Sequence, residues 1–347
     1  MRLLARRTAL TVPLVAVLVT AACALPRAGA APAGSAASGT GTLAGSGVAP
    51  QTGMLAGRPY AAYLPTVVGG RRVPLVLFLH GGGGNATNAQ GTTCADGDPT
   101  SATCLQALGR REGFITVYAS GTPNPHLSAL RTWNAGGGTD YACASGYACD
   151  AQADDIGYLR ALVADLERRY PVDPTRVYVM GFSNGAAMAH RVGCEMADVV
   201  AAVVPVSGEN EYATAAPCDP VRPVPVVDVH GTADDCWTYG SSTRACADPD
   251  PRPKIGAVAS TAGWVARDRC APTPRSTSLP DRVDDGTTTT EQTWSCAAGT
   301  RVTLLTVHGG GHVFPGGATV RTGTTETVTH DWDVTLLWRL VSGYRLT

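Results

Sequence analysis

The chain has 347 residues, 44% of them hydrophobic and only 16% charged, which is ample apolar material for one large α/β domain. Lys and Arg number 27 against 28 Asp and Glu, a net charge of −1, and they are scattered. With no basic stripe to neutralise phosphates, this balance argues against nucleic-acid binding. No run reaches the roughly 18 apolar residues that a membrane span needs.

Taken in order, the chain opens with Arg2, Arg6 and Arg7 ahead of an apolar run at 9–22, the layout of a secretory signal peptide, so residues 1–22 read as a leader. Two processing readings stay open. Ala28-Gly29-Ala30 is a small-x-small site for ordinary removal, whereas Thr20-Ala21-Ala22-Cys23 resembles a bacterial lipobox in which Cys23 would carry a lipid anchor. Residues 23–52 are Ala, Gly, Ser, Thr and Pro with almost no charge and read as a flexible tether. Residues 53–347 read as one domain. Of the 11 cysteines, those other than Cys23 fall into local couples: 94 with 104, 143 with 149, 194 with 218, 236 with 246, and 270 with 296. No C-x-x-C pair speaks for zinc, and export favours oxidation, so disulfide-bearing loops are expected.

Within that domain, residues 59–64 predict an early strand, and the apolar run 73–79 a strand buried on both faces, followed by His80-Gly81-Gly82-Gly83-Gly84. Residues 114–119 predict another. Ile156, Leu159, Leu162, Val163, Leu166 and Tyr170 recur at helical spacing, with Asp154 as cap and Pro171 as stop, predicting a helix over 154–170. Strands follow at 177–180, 199–206, 224–229 and 301–307, with helices after residue 183 and over 255–267 and 331–341. Strands alternating with helices predict a mostly parallel central sheet with helices on both faces.

The chemistry centres on Gly181-Phe182-Ser183-Asn184-Gly185, between a β-branched strand and a small-residue helix. Strand, Gly-x-Ser-x-Gly, helix is the context of a nucleophile elbow, and Ser183 alone among the serines has glycine two residues away on both sides. A serine hydroxyl needs a base held by a third group. Strand 224–229 runs into His230-Gly231-Thr232-Ala233-Asp234-Asp235, and strand 301–307 into His308-Gly309-Gly310-Gly311-His312. Spacing does not separate Asp234 from Asp235 as the acid. His312 is preferred to His308 as base because three glycines let it swing over the sheet edge. Those glycines also oppose a helical His308/His312 metal pair. His126, His190 and His330 have no supporting context, and His80 reads as a buried organiser of its loop. An oxyanion would be received by the amide of Asn184 and by one from the His-Gly-Gly-Gly loop, Gly82 first and Gly83 next. Gly81-x-Gly83-x-x-Ala86 also permits a loose dinucleotide fingerprint, which requires a helix at once. Trp133, Asn134, Trp237 and Tyr239 lie after strand ends, where they are expected either to contact substrate or to pack their loops.

As a set, Leu-His-Gly-Gly-Gly-Gly at 79–84, Thr-Trp-Asn at 132–134, Asp-Asp-Ile at 154–156, Gly-Phe-Ser-Asn-Gly-Ala at 181–186, His-Gly-Thr-Ala-Asp at 230–234, and Gly-Gly-Gly-His with Phe-Pro-Gly-Gly at 309–317 resemble the secreted esterases that include poly(3-hydroxybutyrate) depolymerases and feruloyl and acetylxylan esterases. The resemblance implies an α/β-hydrolase fold and a Ser183–Asp234–His312 triad acting without metal or cofactor, and it selects Asp234 over Asp235. The expected activity is hydrolysis of plant cell-wall feruloyl or acetyl esters, or of hydroxybutyrate-type esters, by an extracellular or lipid-anchored enzyme. A silent cell-surface binding lipoprotein and a nicotinamide oxidoreductase are the alternatives. Two departures, Asp235-Cys236-Trp237-Thr238-Tyr239 for a Val-Pro-Tyr-like turn and Phe314 for a tryptophan, are expected to touch the substrate mouth.

Overall fold

A computed structural model describes residues 49–66, 70–136, 146–241, 255–318 and 326–347, all within the compact unit Leu43–Thr347. The chain enters through an antiparallel pair, β1 (Gln51–Leu55) and β2 (Arg58–Tyr63), and then the buried run β3 (Val73–Leu79). It continues through α1 (Leu105–Glu112), β4 (Ile115–Ala119), the small hairpin β5 (Thr122–Pro123) and β6 (Arg131–Thr132), α2 (Tyr147–Asp150) and α3 (Asp155–Arg169). Next come β7 (Val172–Phe182), α4 (Asn184–Glu195), β8 (Ala202–Val206), α5 (Tyr212–Ala215), β9 (Val226–Gly231) and α6 (Gly256–Arg267). The last elements are β10 (Arg275–Ser278), β11 (Thr288–Ser295), β12 (Arg301–His308) and α7 (Val334–Val341).

Ten strands form one sheet in the order β1-β2-β4-β3-β7-β8-β9-β12-β11-β10. The central strands from β4 to β12 run parallel, and each flank is closed by antiparallel pairing. Successive side chains point to opposite faces, so each central strand feeds two cores. Leu75, Leu77 and Leu79 of β3 join Val177 and Val179 of β7 beneath α3, α4 and α6. Val76 and Phe78 join Tyr178 and Met180 on the other face, with α1 and α7. Coverage on both faces explains the unbroken β-branched runs of the sequence. This is the α/β-hydrolase fold.

The differences from expectation lie at element ends and flanks. Helix α3 starts at Asp155 because Asp154 caps it, its Oδ1 accepting from Gly157 N at 2.7 Å. The last helix starts at Val334 rather than 331, since Asp333 is its cap and accepts from Thr335 N at 2.8 Å. Strands β1, β10 and β11 were not expected: they are polar or exposed and carry little apolar signal.

Three of the expected cysteine couples are disulfides: Cys94–Cys104, Cys194–Cys218 and Cys270–Cys296. Cys149 and Cys236 are also disulfide-bonded. Their expected partners, residues 143 and 246, lie outside the described residues, as do the leader, most of the tether and residue 23. Among the described residues no helix is long and apolar enough to cross a membrane.

Asp268, at the end of α6, is fully buried and accepts from Val224 N at 3.1 Å, tying α6 to the approach to β9. Burial pushes its carboxyl up to about 7, against the pull of the Val224 amide, Arg222 and Arg267. The folded protein therefore holds this proton more tightly than the unfolded chain, and its contribution to stability falls as pH rises through the range from about 4 to 7. Asp268→Asn should gain on the wild type in unfolding free energy, measured by urea titration, across that range, by on the order of 1 kcal/mol per pH unit, with no further gain above it. A stability difference independent of pH would contradict this assignment.

Candidate active site

Strand order reverses between β3 and β7: β4 lies beyond one and β8 beyond the other, which leaves a crevice at their carboxyl ends. Leu79 pairs with Gly181, so the His80-Gly81-Gly82 loop leaves the sheet directly beside Phe182 and Ser183. The approach is tight. A Cβ on Gly185 would lie 2.2 Å from the Leu79 carbonyl oxygen, and one on Gly181 would lie 2.0 Å from that of Gly185. Ser183 adopts φ 57°, ψ −122°, a conformation that costs on the order of 1–3 kcal/mol for a residue with a side chain. It is held there by its N–H donating to Val206 O at 2.9 Å and by its carbonyl accepting from Ala186 N at 2.8 Å.

The structure brings three distant side chains into line above this turn. His312 Nε2 lies 2.9 Å from Ser183 Oγ, and its Nδ1 lies 2.9 Å from Asp234 Oδ2. The imidazole packs on the Phe182 ring, with centroids 5.0 Å apart. Asp234 Oδ1 accepts from Cys236 N and Trp237 N, both at 2.8 Å. Burial alone would raise the pKa of Asp234, but hydrogen bonds from His230 and His312 hold it well below the usual carboxylate range. An ionised Asp234 can only accept, so Nδ1 of His312 carries the proton and Nε2 faces the serine hydroxyl as an acceptor. Asp235 is exposed.

The other histidines are occupied elsewhere. His308 ends β12 with its Nε2 2.9 Å from Thr290 Oγ1, and Gly309 at φ 78° breaks any helix that would align it with His312. His126 and His330 are exposed, while His190 is buried and accepts from Trp264 Nε1 at 2.9 Å. His80 is buried, with Nδ1–H donating to Gly81 O at 2.7 Å and Nε2 accepting from Gly121 N at 2.9 Å. Burial lowers its pKa to about 4, so the ring stays neutral and organises the loop.

In that loop, Gly83 N donates to Arg131 O at 2.9 Å and Gly84 N to Gly81 O at 3.0 Å, so both amides are engaged. Gly82 faces the start of α4: a Cβ there would lie 3.7 Å from Asn184 Cβ. The α-helix that a dinucleotide fingerprint requires does not follow; a short 3-10 turn at Asn88–Gly91 comes first and α1 begins only at Leu105.

The expected aromatic contacts require correction. Trp133 is fully buried between the His80 and Tyr158 rings, and its Nε1–H donates to His80 O at 3.0 Å. Its backbone exchanges two hydrogen bonds with the Asn184 side chain, at 2.7 and 3.0 Å. Asn134 is also buried: its N–H donates to Asp155 Oδ2 at 2.6 Å and its Nδ2 to Ala153 O at 2.9 Å. Trp237 is buried, with its backbone N–H on Asp234 and its carbonyl on His230. Tyr239 is half-buried and its hydroxyl meets Thr306 Oγ1 at 2.8 Å. Phe314 sits in the core against Phe78 and Phe182 rather than at a mouth. Trp133, Asn134, Trp237 and Phe314 therefore pack the structure around the triad, while Tyr239 stays partly exposed. Two contributors were missed. Asp155, read only as part of a helix start, is fully buried and also takes Arg58 and, at 2.9 Å, Thr122. His230 stood in the motif that supplied Asp234, yet no role was expected of it.

A family model described as esterase PHB depolymerase matches residues 58–218. Over 246 residues the chain is 27% identical to feruloyl esterase B of Piromyces equi, covering 70% of this chain and 40% of that protein. Over these stretches the chain is similar to this esterase family. The candidate esterase NocK of Nocardia uniformis subsp. tsuyamanensis is 30% identical over 256 residues, covering 70% of this chain and 66% of its own. The chain thus spans less than two thirds of either relative's length. Among solved structures, the acetyl xylan esterase from Aspergillus awamori aligns with TM-score 0.47 at 14% identity, covering 74% of this chain and 89% of that one.

The Asn184 side chain ties the elbow helix to the 133–134 loop. Asn184→Ala keeps the backbone amide but strands the buried Trp133 N–H and C=O. The variant should lose about 2–4 kcal/mol in urea unfolding. A loss below about 0.5 kcal/mol, the range of ordinary surface changes, would show that the pair is not a structural tie.

Proposed function

We propose that the protein is a serine carboxylic-ester hydrolase acting through an acyl-enzyme. The observation that carries this reading is the hydroxyl–imidazole–carboxylate line of Ser183, His312 and Asp234, two contacts of 2.9 Å rising from a strained strand-to-helix turn. Ser183 Oγ attacks the ester carbonyl while His312 Nε2 takes its proton. Asp234 holds Nδ1–H and stabilises the imidazolium. The tetrahedral oxyanion is received by the amides of Gly82 and Asn184; one such donor is typically worth about 10²–10³ in turnover. Collapse breaks the C–O bond to the alcohol, which leaves with the proton from His312. A water molecule, deprotonated by the same imidazole, then attacks the acyl carbonyl, and the carboxylic acid departs as Ser183 recovers its proton.

The name of the feruloyl esterase relative supports feruloyl esters, and the family model supports hydroxybutyrate-type esters. Leu130, 46% exposed, lies beside the oxyanion loop, 4.0 Å from where a Cβ on Gly83 would stand, and offers an apolar lip to an acyl or aryl group. The leader at 1–22 and the local disulfides support export, and intact mass of the mature native protein distinguishes removal of Cys23 from its acylation.

Ser183→Ala should fold normally and lower p-nitrophenyl acetate turnover by at least about 10⁴. The wild type should be labelled at Ser183 by a fluorophosphonate probe. A silent binding protein on the same scaffold would take no label, and an alanine variant with most of its activity would remove Ser183 as nucleophile.

A further inference from the structure

The carboxylate of Asp234 meets two imidazoles, and the proposed mechanism uses only one. His230, near the end of β9, is 1% exposed, and its Nε2 lies 3.3 Å from Asp234 Oδ2, the oxygen that also receives His312 Nδ1–H at 2.9 Å. The same Nε2 is hydrogen-bonded to the carbonyl of Trp237. A carbonyl and an ionised carboxylate are both acceptors, so this nitrogen must carry a proton and share it between them. One imidazole thereby grips both ends of the Asp234–Trp237 turn, whose amides at 236 and 237 already hold the other carboxylate oxygen.

The surroundings of His230 come from four elements. Asp228 stands two positions back on the same face of β9, fully buried, and accepts from Thr261 of α6 at 3.0 Å. His190 of α4 has its Nε2 3.7 Å from Asp228 Oδ2, with Arg267 of α6 acting on it from beyond. Thr306 of β12 pairs with His230 in the sheet, and the Tyr239 ring lies 6.3 Å from the imidazole. Burial disfavours a charged ring, yet Asp234 and Asp228 on either side raise the pKa of His230.

We propose that His230 is a positioning residue for ester hydrolysis, which fixes the orientation of Asp234 Oδ2 and offsets part of the carboxylate's charge at His312. This rests on the triad reading above. Donation from His230 draws charge away from the oxygen that faces His312; without it, that oxygen binds the His312 proton more strongly, and the base releases it only at higher pH.

His230→Leu should lower kcat for p-nitrophenyl acetate by about 10- to 100-fold with KM within about twofold, because the base loses its fixed support. The acid limb of its kcat/KM profile should move to higher pH by about half a unit or more. His230→Gln restores a donor and should recover most of the lost turnover. A folded leucine variant with wild-type kcat and an unmoved acid limb would overturn the proposal, as would a folded glutamine variant as impaired as leucine. Should the leucine variant fail to fold, glutamine against wild type decides: turnover within about threefold supports the role, and a loss of about tenfold or more overturns it. Fluorophosphonate labelling of the wild type separates the two readings. An unlabelled wild type sinks the serine mechanism, whereas a labelled wild type beside an indifferent leucine variant sinks only the role of His230.

Discussion

The site depends on how closely the backbone after β7 approaches the end of β3. Leu79 and Gly181 are paired neighbours, and the first turn of α4 presses on the Leu79 carbonyl at a distance that only an unsubstituted Gly185 allows. This contact sets the separation of the Gly82 and Asn184 amides, the pair proposed to receive an oxyanion, because one belongs to the loop leaving β3 and the other to the helix leaving β7. Preorganised donors are effective in proportion to how little they must move, so under the proposed mechanism sterics at two glycines would become electrostatics at the reacting carbon. The arrangement is then held from the side: Asp155 holds Asn134, the adjoining Trp133 backbone holds Asn184, and Trp133 Nε1–H holds the His80 carbonyl.

Burial by itself does not decide how a carboxyl behaves in this molecule. Asp234 and Asp268 are both withdrawn from solvent, yet the first is held well below the ordinary carboxylate range and the second is pushed up to about 7. Partners make the difference. Asp234 faces two imidazole N–H groups and two backbone amides, whereas the hydrogen bond formed by Asp268 is to a single amide and its Oδ1 has none. A carboxyl with a full set of donors can serve as a permanent anion beside a base, and one without them is better suited to a neutral, structural place.

Much of this was legible in the sequence, for identifiable reasons. Central strands buried on both faces are written as continuous Val and Leu runs, and Ser183, Asp234 and His312 each stand just beyond such a run. The flanking strands were illegible because β10 is wholly exposed and the face of β11 is largely threonine, so neither shows the alternation that a half-buried strand displays. The aromatic residues misled for another reason. Position after a strand end says that a side chain is near the site, but not whether it faces the crevice or the floor. Trp133 faces the floor because its indole N–H finds the His80 carbonyl, a partner 53 residues away. Asp155 was hidden likewise: Arg58, Thr122 and Asn134 converge on it only once the sheet exists.

The described disulfides join cysteines only 10, 24 and 26 positions apart, whereas the sheet pairs strands separated by a hundred residues and more. Each bridge closes a short circuit, for which the entropy of closure is modest, yet Cys218 and Cys270 each have a cysteine other than their partner nearer in sequence, Cys236 and Cys246. Closure of these short loops does not require the long-range pairing of the sheet. A thiol does not have to wait for β3 to find β7, but proximity alone would also favour the wrong pairs, so the correct ones are selected by the local fold around each loop rather than by distance along the chain.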